Sequence, residues 1–291
     1  MNKNKTVSVI GGDSRLIYAA EFLASHGYKV SAFYNEHGKI PESVKKGNEL
    51  KDAFENDIIL LPLPVTKNGK MLNSPLSSSE LQIKEITDGI SERNTVFLGM
   101  GSTSLLKQLS AKAGAVCDYF TIESLTYKNA LLTAEGLLGI ILERSPLSLF
   151  SMKIAVTGYG RIGAFLAGML KMLGADVSVF ARNEIQRIKA EAIGIKAFAP
   201  HHLEEDAQLF DCIINTVPSP FINEKAIRCS KPECIFIEAA SQPYGIDSDA
   251  CTRNERTLIK AFSLPGKTSP KTAGIIIAET VIKKEKELMK E

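Results

Sequence analysis

Residues 153–163 have the sequence KIAVTGYGRIG, an apolar run followed by the glycine pattern GxGxxG. A strand that leads through such glycines into a helix is typical of the phosphate-binding turn of dinucleotide-binding domains. In that turn, Gly158 permits the tight bend, Gly160 lets the backbone approach a pyrophosphate, and Gly163 allows the helix to pack closely on the strand. We therefore predict a nicotinamide dinucleotide site formed by Gly158, Tyr159, Gly160, Arg161, Ile162 and Gly163.

The residues after the second strand of this unit predict which dinucleotide binds. NAD sites usually place Asp or Glu there, about 20 residues past the glycines, to accept a hydrogen bond from the ribose. This chain has Arg182 and Asn183 instead. Because a guanidinium can contact a 2′-phosphate, NADP is the expected cofactor and NAD the weaker one. The alternative is that Arg182 only stacks on the adenine ring.

Two further segments are predicted to lie at the same edge of the sheet, because ligands of open parallel sheets bind at the carboxyl ends of the strands. The first follows the fourth strand of the unit, and the second follows the fifth. They add the cofactor-binding candidates Asn215, Thr216, Pro218 and Ser241, on the nicotinamide side.

Short β-branched runs alternate with helix-length segments twice along the chain, which indicates two parallel sheets with crossover helices. We predict five strands in the first half, at residues 7–10, 29–33, 57–61, 95–98 and 116–120. Six more follow a helix at 129–143, at residues 153–157, 176–180, 195–198, 211–217, 234–238 and 257–261. After a turn-rich segment at 264–270, a last helix begins at about residue 271.

The predicted fold class is therefore α/β, with two doubly wound parallel-sheet domains joined by two crossovers. Residues 1–128, completed by a C-terminal helix at 271–291, form a flavodoxin-like, substrate-binding domain. Residues 129–270 form a Rossmann domain for NADP. A chain of 291 residues is long enough for two cores of ordinary size.

Composition limits the partners and the compartment. The chain has 44% hydrophobic and 23% charged residues, and 35 basic against 33 acidic residues give a net charge of +2 without a basic stripe. Small molecules are therefore expected as ligands, with no nucleic acid and no membrane. No metal is expected, because the five cysteines lack metal-ligand spacing. The polar N-terminus has no signal-peptide pattern, so we expect a cytoplasmic protein.

The first domain contains two turns that could bind an anion. The sequence at 11–15, GGDSR, joins a strand to a helix, and residues 99–104, GMGSTS, begin another helix. Helix N-termini and Arg side chains bind carboxylates. The substrate-binding candidates are Asp13, Arg15, Ser102 and Thr103, although Arg15 could instead form a salt bridge with Asp13 or Glu21.

Four separated strings resemble the A subunit of dipicolinate synthase from spore-forming bacteria, in the right order and over nearly the whole chain. They are Gly11-Gly12-Asp13 with Arg15, Asn129 with Thr133-Ala134-Glu135-Gly136, Asn215 to Ser219, and Leu264-Pro265-Gly266 with Pro270 to Gly274. Gln242 and Tyr244 depart from the Arg and Gly expected in that family.

The resemblance implies oxidation of dihydrodipicolinate to dipicolinate, pyridine-2,6-dicarboxylate, with reduction of NADP. It also implies sporulation, the mother-cell cytoplasm, a branch of the lysine/diaminopimelate pathway and, as partner, the flavoprotein-like B subunit of dipicolinate synthase. A homo-oligomer is expected as well. Within the matching strings and the segment beside them, the catalytic candidates are Glu135 and Lys271, and the further substrate-binding candidates are Asn129, Lys267 and Thr272.

The same architecture is similar to that of D-2-hydroxyacid dehydrogenases and adenosylhomocysteinase. Hydroxyacid dehydrogenases of that type use an Arg after the fifth strand and a His near the last crossover, whereas this chain has Gln242 and no His after His202. Acid/base chemistry by a His is therefore disfavoured. Two alternatives stay open: an NAD(P)-dependent dehydrogenase of another small carboxylate, and a non-catalytic nucleotide-binding subunit that scaffolds a flavoprotein.

Overall fold

A computed structural model describes residues 5–288 of the chain, which divide into two compact units. The first unit consists of the residues up to Asn129 together with those from Ser269 onward, and the second is Ala130–Thr268. The sequence placed these divisions at 128/129 and 270/271. The assignment of substrate binding to the first unit and cofactor binding to the second stays a prediction.

The first unit is built on a parallel sheet of six strands in the order β3-β2-β1-β4-β5-β6. The strands are β1 (Thr6–Ile10), β2 (Lys29–Phe33), β3 (Lys45–Lys46), β4 (Ile58–Leu60), β5 (Thr95–Leu98) and β6 (Ala115–Asp118). Five of them have the flavodoxin-like order, and β3 extends that order at one edge. The prediction of five strands was wrong because β3 has only two exposed lysines and no apolar alternation to reveal it.

The helices of the first unit connect and cover these strands. They are α1 (Ser14–Ser25), α2 (Leu50–Ala53), α3 (Ile83–Gly89), α4 (Thr103–Ser110), the start of α5 (Glu123–Arg144), and α12 (Pro270–Leu288). The last helix packs on the first, with Gly274 against the Arg15 carbonyl, where an added Cβ would lie 2.3 Å from the oxygen. Only glycine permits this approach.

The second unit has six parallel strands in the order β12-β11-β10-β7-β8-β9, which is the strand order of dinucleotide-binding domains. The strands are β7 (Lys153–Thr157), β8 (Asp176–Phe180), β9 (Lys196–Phe198), β10 (Cys212–Asn215), β11 (Ile235–Glu238) and β12 (Thr257–Lys260). The helices are the rest of α5, α6 (Arg161–Met172), α7 (Glu184–Ala192), α8 (His202–Asp206), α9 (Glu224–Cys229), α10 (Ser248–Arg253) and α11 (Leu264–Thr268).

The predicted two-domain α/β fold class is confirmed, with corrections at the element level. Helix α5 begins at Glu123, six residues before the predicted start. The segment after β12 contains α11 although it was predicted as a turn, because Pro265 occupies its first turn, where no backbone N–H is needed. The predicted strand at 116–120 ends at Asp118, and a short 3-10 helix follows it.

The core of the second unit packs α5 and α6 on one face of its sheet and α8, α9 and α10 on the other. On the first face, Leu137 and Leu166 are fully buried with the strand residue Val156. On the other face, Phe180, Phe210 and Phe236 fill the space, and the first two rings meet edge to face at 5.7 Å between centroids. This packing holds the carboxyl ends of β7, β8, β10 and β11 in fixed positions.

Candidate dinucleotide site and substrate residues

The turn between β7 and α6 has the geometry that its glycines predict. Gly158 has a φ of +85°, which side chains rarely adopt. A Cβ on Gly163 would lie 2.3 Å from the Gly158 carbonyl oxygen. Helix α6 can therefore approach the turn this closely only because residue 163 is glycine. Gly160 is the N-cap of α6, and a Cβ there would meet nothing within 4 Å. The open side of the turn therefore faces space that a pyrophosphate would fit.

A cavity of about 270 Å³ opens beside this turn. Its walls come from the glycine turn, the end of β8, helix α7 and the segment after β10, which are the elements that hold the adenosine half of a dinucleotide. The lining residues are Gly158, Tyr159, Gly160, Ala181, Arg182, Asn183, Gln186, Thr216, Val217, Pro218 and Phe221. The structure thus brings together the predicted residues of the glycine turn, of the β8 end and of the segment after β10. The residues present fit a dinucleotide.

Arg182 is exposed at the wall of this cavity. Its guanidinium carbon lies 5.8 Å from the centre of the Phe221 ring, and Nη2 donates to the Pro220 carbonyl at 3.5 Å. Asn183 caps α7, because its Oδ1 accepts from the N–H of Ile185 at 2.8 Å. That cap engages the acceptor oxygen of the Asn183 amide.

Arg187 was missed by the sequence analysis and supports the Arg182 loop from below. Its Nη1 donates to the carbonyl oxygens of Ala181 at 2.8 Å and Arg182 at 3.0 Å. A second guanidinium thus lies under the loop that borders the cavity. Its place in the first turn of α7, shortly after the predicted Arg182 and Asn183, was the signal that the sequence offered.

Tyr159 stands between Gly158 and Gly160 at the mouth of the cavity. Partial burial raises the pKa of its phenol. A tyrosine hydroxyl is protonated at neutral pH in any case, so it can donate a hydrogen bond to a ligand. Arg161 and Ile162 begin helix α6, with Arg161 exposed and Ile162 packed against the core.

Asn215 was predicted to contact the cofactor, but its side chain is fully buried. Its Oδ1 accepts from the Thr157 hydroxyl at 2.6 Å, and its Nδ2 donates to Glu238 Oε1 at 2.7 Å and to the Val217 carbonyl at 3.0 Å. The side-chain amide of Asn215 is therefore engaged in hydrogen bonds within the protein, and none of its atoms is exposed. The sequence missed Glu238 because a carboxylate at the end of an apolar strand gives no sign of which N–H groups surround it.

The other three candidates predicted on the nicotinamide side differ in exposure, and Pro218 is exposed and lines the cavity. Thr216 is half-buried, and its hydroxyl donates to the Thr157 carbonyl at 2.7 Å, which ties the end of β10 to the glycine turn. Ser241 is exposed in the turn after β11 and lies outside the cavity lining.

The first predicted anion turn, in the first unit, is occupied by internal contacts. The N–H of Gly11 donates to the Phe33 carbonyl at 2.8 Å, and that of Gly12 to the Asn73 carbonyl at 2.9 Å. Arg15 is only 6% exposed and pairs with both carboxylate oxygens of Asp13, with Nη2 to Oδ2 at 2.8 Å. The structure thus shows the alternative, an ion pair between the buried Arg15 and the half-buried Asp13.

The second predicted anion turn is also satisfied internally. Asp118 accepts from the N–H groups of Met100 at 3.1 Å and Gly101 at 2.8 Å. Ser102 caps α4 by accepting from the Leu105 N–H at 3.2 Å, and Thr103 is exposed in its first turn. The carboxylate at the end of β6 occupies part of the position where an external anion was expected.

The predicted catalytic residues lie in different units. Glu135 is exposed on α5 in the second unit, and Lys271 is exposed in the first turn of α12 in the first unit. Of the remaining substrate candidates, Asn129 is half-buried, whereas Lys267 and Thr272 are exposed. Their roles stay predictions.

Metal clusters and membrane spans are both missing from residues 5–288. This range contains no cluster of three or more His, Cys, Asp or Glu side chains arranged to hold a metal ion. No helix within the same range has the length and apolar character needed to cross a lipid bilayer.

Comparison with known proteins connects each unit to a family. Residues 6–120 match the N-terminal domain of the dipicolinate synthase A subunit, and residues 142–250 match the NAD binding domain of D-isomer specific 2-hydroxyacid dehydrogenases. The dipicolinate synthase A subunit of Bacillus subtilis (strain 168) is 27% identical over 282 residues, covering 95% of this chain and 94% of that protein. The predicted resemblance to the A subunit of dipicolinate synthase is confirmed.

Solved structures show the same fold. The dipicolinate synthase A subunit from Bacillus halodurans superposes with a TM-score of 0.85 at 24% identity, covering 96% of this chain and 97% of that one. A transhydrogenase from Sinorhizobium meliloti gives 0.70 at 16% identity, covering 97% and 94%. The sequence matches identify the second unit as a dinucleotide-binding domain of the dehydrogenase type, which supports an oxidoreductase with a nicotinamide dinucleotide.

Proposed function

We propose that this chain, which resembles the A subunit of dipicolinate synthase along nearly its whole length, oxidises dihydrodipicolinate to dipicolinate with NADP as the hydride acceptor. The observation that carries the proposal is the conjunction of the Gly158–Gly163 turn and its cavity with a sequence match over 95% of the chain. A fold alone would leave the reaction open, because the same architecture serves many chemistries.

The preference for NADP rests on charge at the cavity wall. Arg182 lies at this wall, and Arg187 donates a hydrogen bond to the backbone carbonyl of Arg182. Residues 181–183, at the end of β8, include no carboxylate. A 2′-phosphate would gain a charge-assisted hydrogen bond at this point. NAD would gain no such bond and would lack the usual carboxylate partner for its ribose.

The reaction requires little from protein side chains. A nicotinamide ring, when bound, supplies the hydride acceptor; the ring carbon of the substrate gives up a hydride, its neighbour loses a proton, and aromatisation makes the step favourable. Orientation of the two rings and neutralisation of the two carboxylates therefore account for most of the rate enhancement. Glu135 is the proposed proton acceptor, and Lys271, the other catalytic candidate, is an ammonium that only donates hydrogen bonds and is proposed to hold a substrate carboxylate.

Substrate binding is proposed mainly at exposed groups. Lys271, Lys267 and Thr272 can each contact a carboxylate of the substrate, whereas Arg15 acts indirectly, through its pair with Asp13. Asn129, Ser102 and Thr103 complete the proposed set. Charged contacts of this kind fix a planar dicarboxylate in one orientation.

The partner and the compartment follow from the resemblance alone. We propose a complex with the flavoprotein-like B subunit of dipicolinate synthase, a homo-oligomer of this chain, and a place in the cytoplasm of the mother cell during sporulation. Co-purification of the two subunits expressed together would test the complex directly.

An anaerobic assay of the isolated chain tests the activity. Purified protein, NADP and freshly generated dihydrodipicolinate are expected to yield dipicolinate and NADPH in equal amounts, with the ultraviolet absorbance of each product followed over time. Excluding oxygen prevents spontaneous aromatisation. A purely scaffolding subunit would form no NADPH without its partner, and a dehydrogenase of another carboxylate would reduce NADP only with a different substrate.

A further inference from the structure

A buried carboxylate at the end of β11 is not used in the proposed chemistry. Glu238 is 2% exposed, and its two oxygens accept four hydrogen bonds. Oε1 accepts from Asn215 Nδ2 at 2.7 Å and the Ala240 N–H at 2.9 Å, and Oε2 accepts from the N–H groups of Gly245 at 2.8 Å and Ile246 at 2.9 Å. Four donors facing one side chain match the ionised carboxylate, which can only accept.

These donors connect three neighbouring strand ends to one turn. Thr157, Asn215 and Glu238 are the last residues of β7, β10 and β11, and they are paired in register across the sheet. The backbone N–H groups belong to both ends of the segment 240–246, which follows β11. Glu238 therefore anchors this turn to the same strand-end row that begins the glycine turn at Gly158.

Close packing on both sides restricts the conformation of the turn at 240–246. A Cβ on Gly245 would lie 2.3 Å from Asn215 Nδ2, so the backbone of the turn rests directly on that amide. Tyr244 has a φ of +61° and its ring stacks on Phe262 with 5.1 Å between centroids. The turn is held from the sheet side by Glu238 and from the outside by this ring pair.

We propose that Glu238 is a positioning residue for the nicotinamide half of the dinucleotide, an inference that rests on the proposed function. The pyrophosphate is expected at the glycine turn and the adenosine in the cavity beyond β8. The other half must then extend toward β10 and β11, where the turn 240–246 follows the strand end. Glu238 fixes the wall against which that ring binds, without touching it.

Ligand pairs that differ only in the nicotinamide ring test this role. NADPH and 2′-phospho-ADP-ribose are titrated into the wild type and E238Q by calorimetry, and NADH and ADP-ribose form a second pair. In E238Q an amide NH₂ faces two N–H donors, so the turn loses half of its anchor. The dissociation constant for NADPH is expected to rise about tenfold or more, whereas that for 2′-phospho-ADP-ribose changes by less than about twofold.

Two further variants make the result decisive. E238D keeps the charge but shortens the side chain by one methylene, so a smaller loss of NADPH affinity is expected. If E238Q does not fold, the same comparison of ligand pairs in E238D tests the inference. E233Q changes an exposed carboxylate just before β11 and is expected to leave every affinity unchanged. Hydrogen exchange at 240–246 should accelerate in E238Q but not in E233Q.

Two outcomes would overturn the inference. Equal weakening of both ligands in a pair would show a general structural role, and unchanged NADPH binding would show that the turn does not contact the nicotinamide half. Wild-type protein that binds none of the four ligands would overturn the proposed function itself, and the inference with it.

Discussion

The side chain of Arg182 is exposed, and defined contacts surround it. Its guanidinium lies near the Phe221 ring, and Arg187 donates a hydrogen bond to the backbone carbonyl of Arg182. The exposed guanidinium lies at the cavity wall, where a guanidinium can contact a phosphate. Stacking on an adenine ring, the alternative role, would use the guanidinium face.

Replacing Arg182 by Ala is expected to remove most of the discrimination between the two cofactors. Loss of a charge-assisted hydrogen bond costs about 1.5–3 kcal/mol, so the wild type should prefer NADP over NAD by roughly 10- to 150-fold, and R182A by little. Titrations of both cofactors into both proteins measure the ratio. K189A, which removes an exposed charge from the last turn of α7, is the matched control; an unaltered ratio in R182A would show that Arg182 does not bind the phosphate.

The variants R15A and K271A are expected to have different effects, the first on stability and the second on substrate binding. R15A leaves Asp13 and the Leu63 carbonyl without their shared donor, and a hydrogen bond to a charged group contributes about 1.5–3 kcal/mol. The free energy of unfolding should therefore fall in R15A. K271A removes an exposed charge, so its stability should match the wild type while its KM for the dicarboxylate rises. Urea denaturation and steady-state kinetics distinguish them, and a fully stable R15A would contradict a stabilising role for the Arg15–Asp13 pair.

At the scale of single elements, the C-terminal helix α12 is tied to the first sheet by a buried acid. Glu285 is 4% exposed, its Oε1 lies 2.5 Å from Lys5 Nζ, and its Oε2 accepts from the Tyr28 hydroxyl at 3.4 Å. Burial, followed by the charge and hydrogen bond of Glu285, raises the pKa of Tyr28 to about 12. A residue near the C-terminus is thus bound to the beginnings of β1 and β2.

E285Q tests this attachment. The amide keeps the volume but loses the ion pair, so we expect a lower Tm, with a loss of about 1.5–3 kcal/mol for a charged hydrogen bond. E279Q, on the same helix, breaks an exposed pair with Lys128 and should cost less than about 1 kcal/mol. Thermal melts of both variants give the comparison; equal losses would place Glu285 among ordinary surface pairs.

Elements and site residues differed in how far the sequence could predict them. Strands such as β7 and β10 were predictable because apolar runs between turn residues specify them, whereas β3 has two exposed lysines and forms only because its neighbour β2 offers a free edge. The glycine turn was predictable because its geometry requires glycine. The occupation of two N–H groups near Gly101 by Asp118 was not, because it depends on the pairing of β5 with β6.

At the scale of the whole molecule, three of the five cysteine thiols lie in the core of the second unit. Burial raises the pKa of Cys212, raises that of Cys234 to about 12 and raises that of Cys251 to about 11. In the unfolded chain these thiols ionise near their ordinary value of 9.0. Above that pH the unfolded state releases protons that the folded state retains, so stability must fall as pH rises.

C234A measures one share of this effect. Each such thiol contributes about 1.4 kcal/mol of lost stability per pH unit between the two pKa values. C234A should therefore show a shallower decline between about pH 9.5 and 10.5, by about that amount per unit, although its smaller side chain lowers stability at neutral pH. C229A, at an exposed position, should decline like the wild type. Parallel curves for C234A and the wild type would contradict a protonated buried thiol.

Transfer of hydrogen from substrate to cofactor tests the central claim, the oxidation of dihydrodipicolinate by NADP, most directly. The measurement uses dihydrodipicolinate deuterated at its saturated ring carbons, incubated without oxygen with the isolated chain and NADP, and mass spectrometry of the NADPH formed. The account predicts one deuterium in each NADPH molecule and an equal amount of dipicolinate, because the hydride passes directly between the two rings. Dipicolinate formed without deuterated NADPH would contradict it.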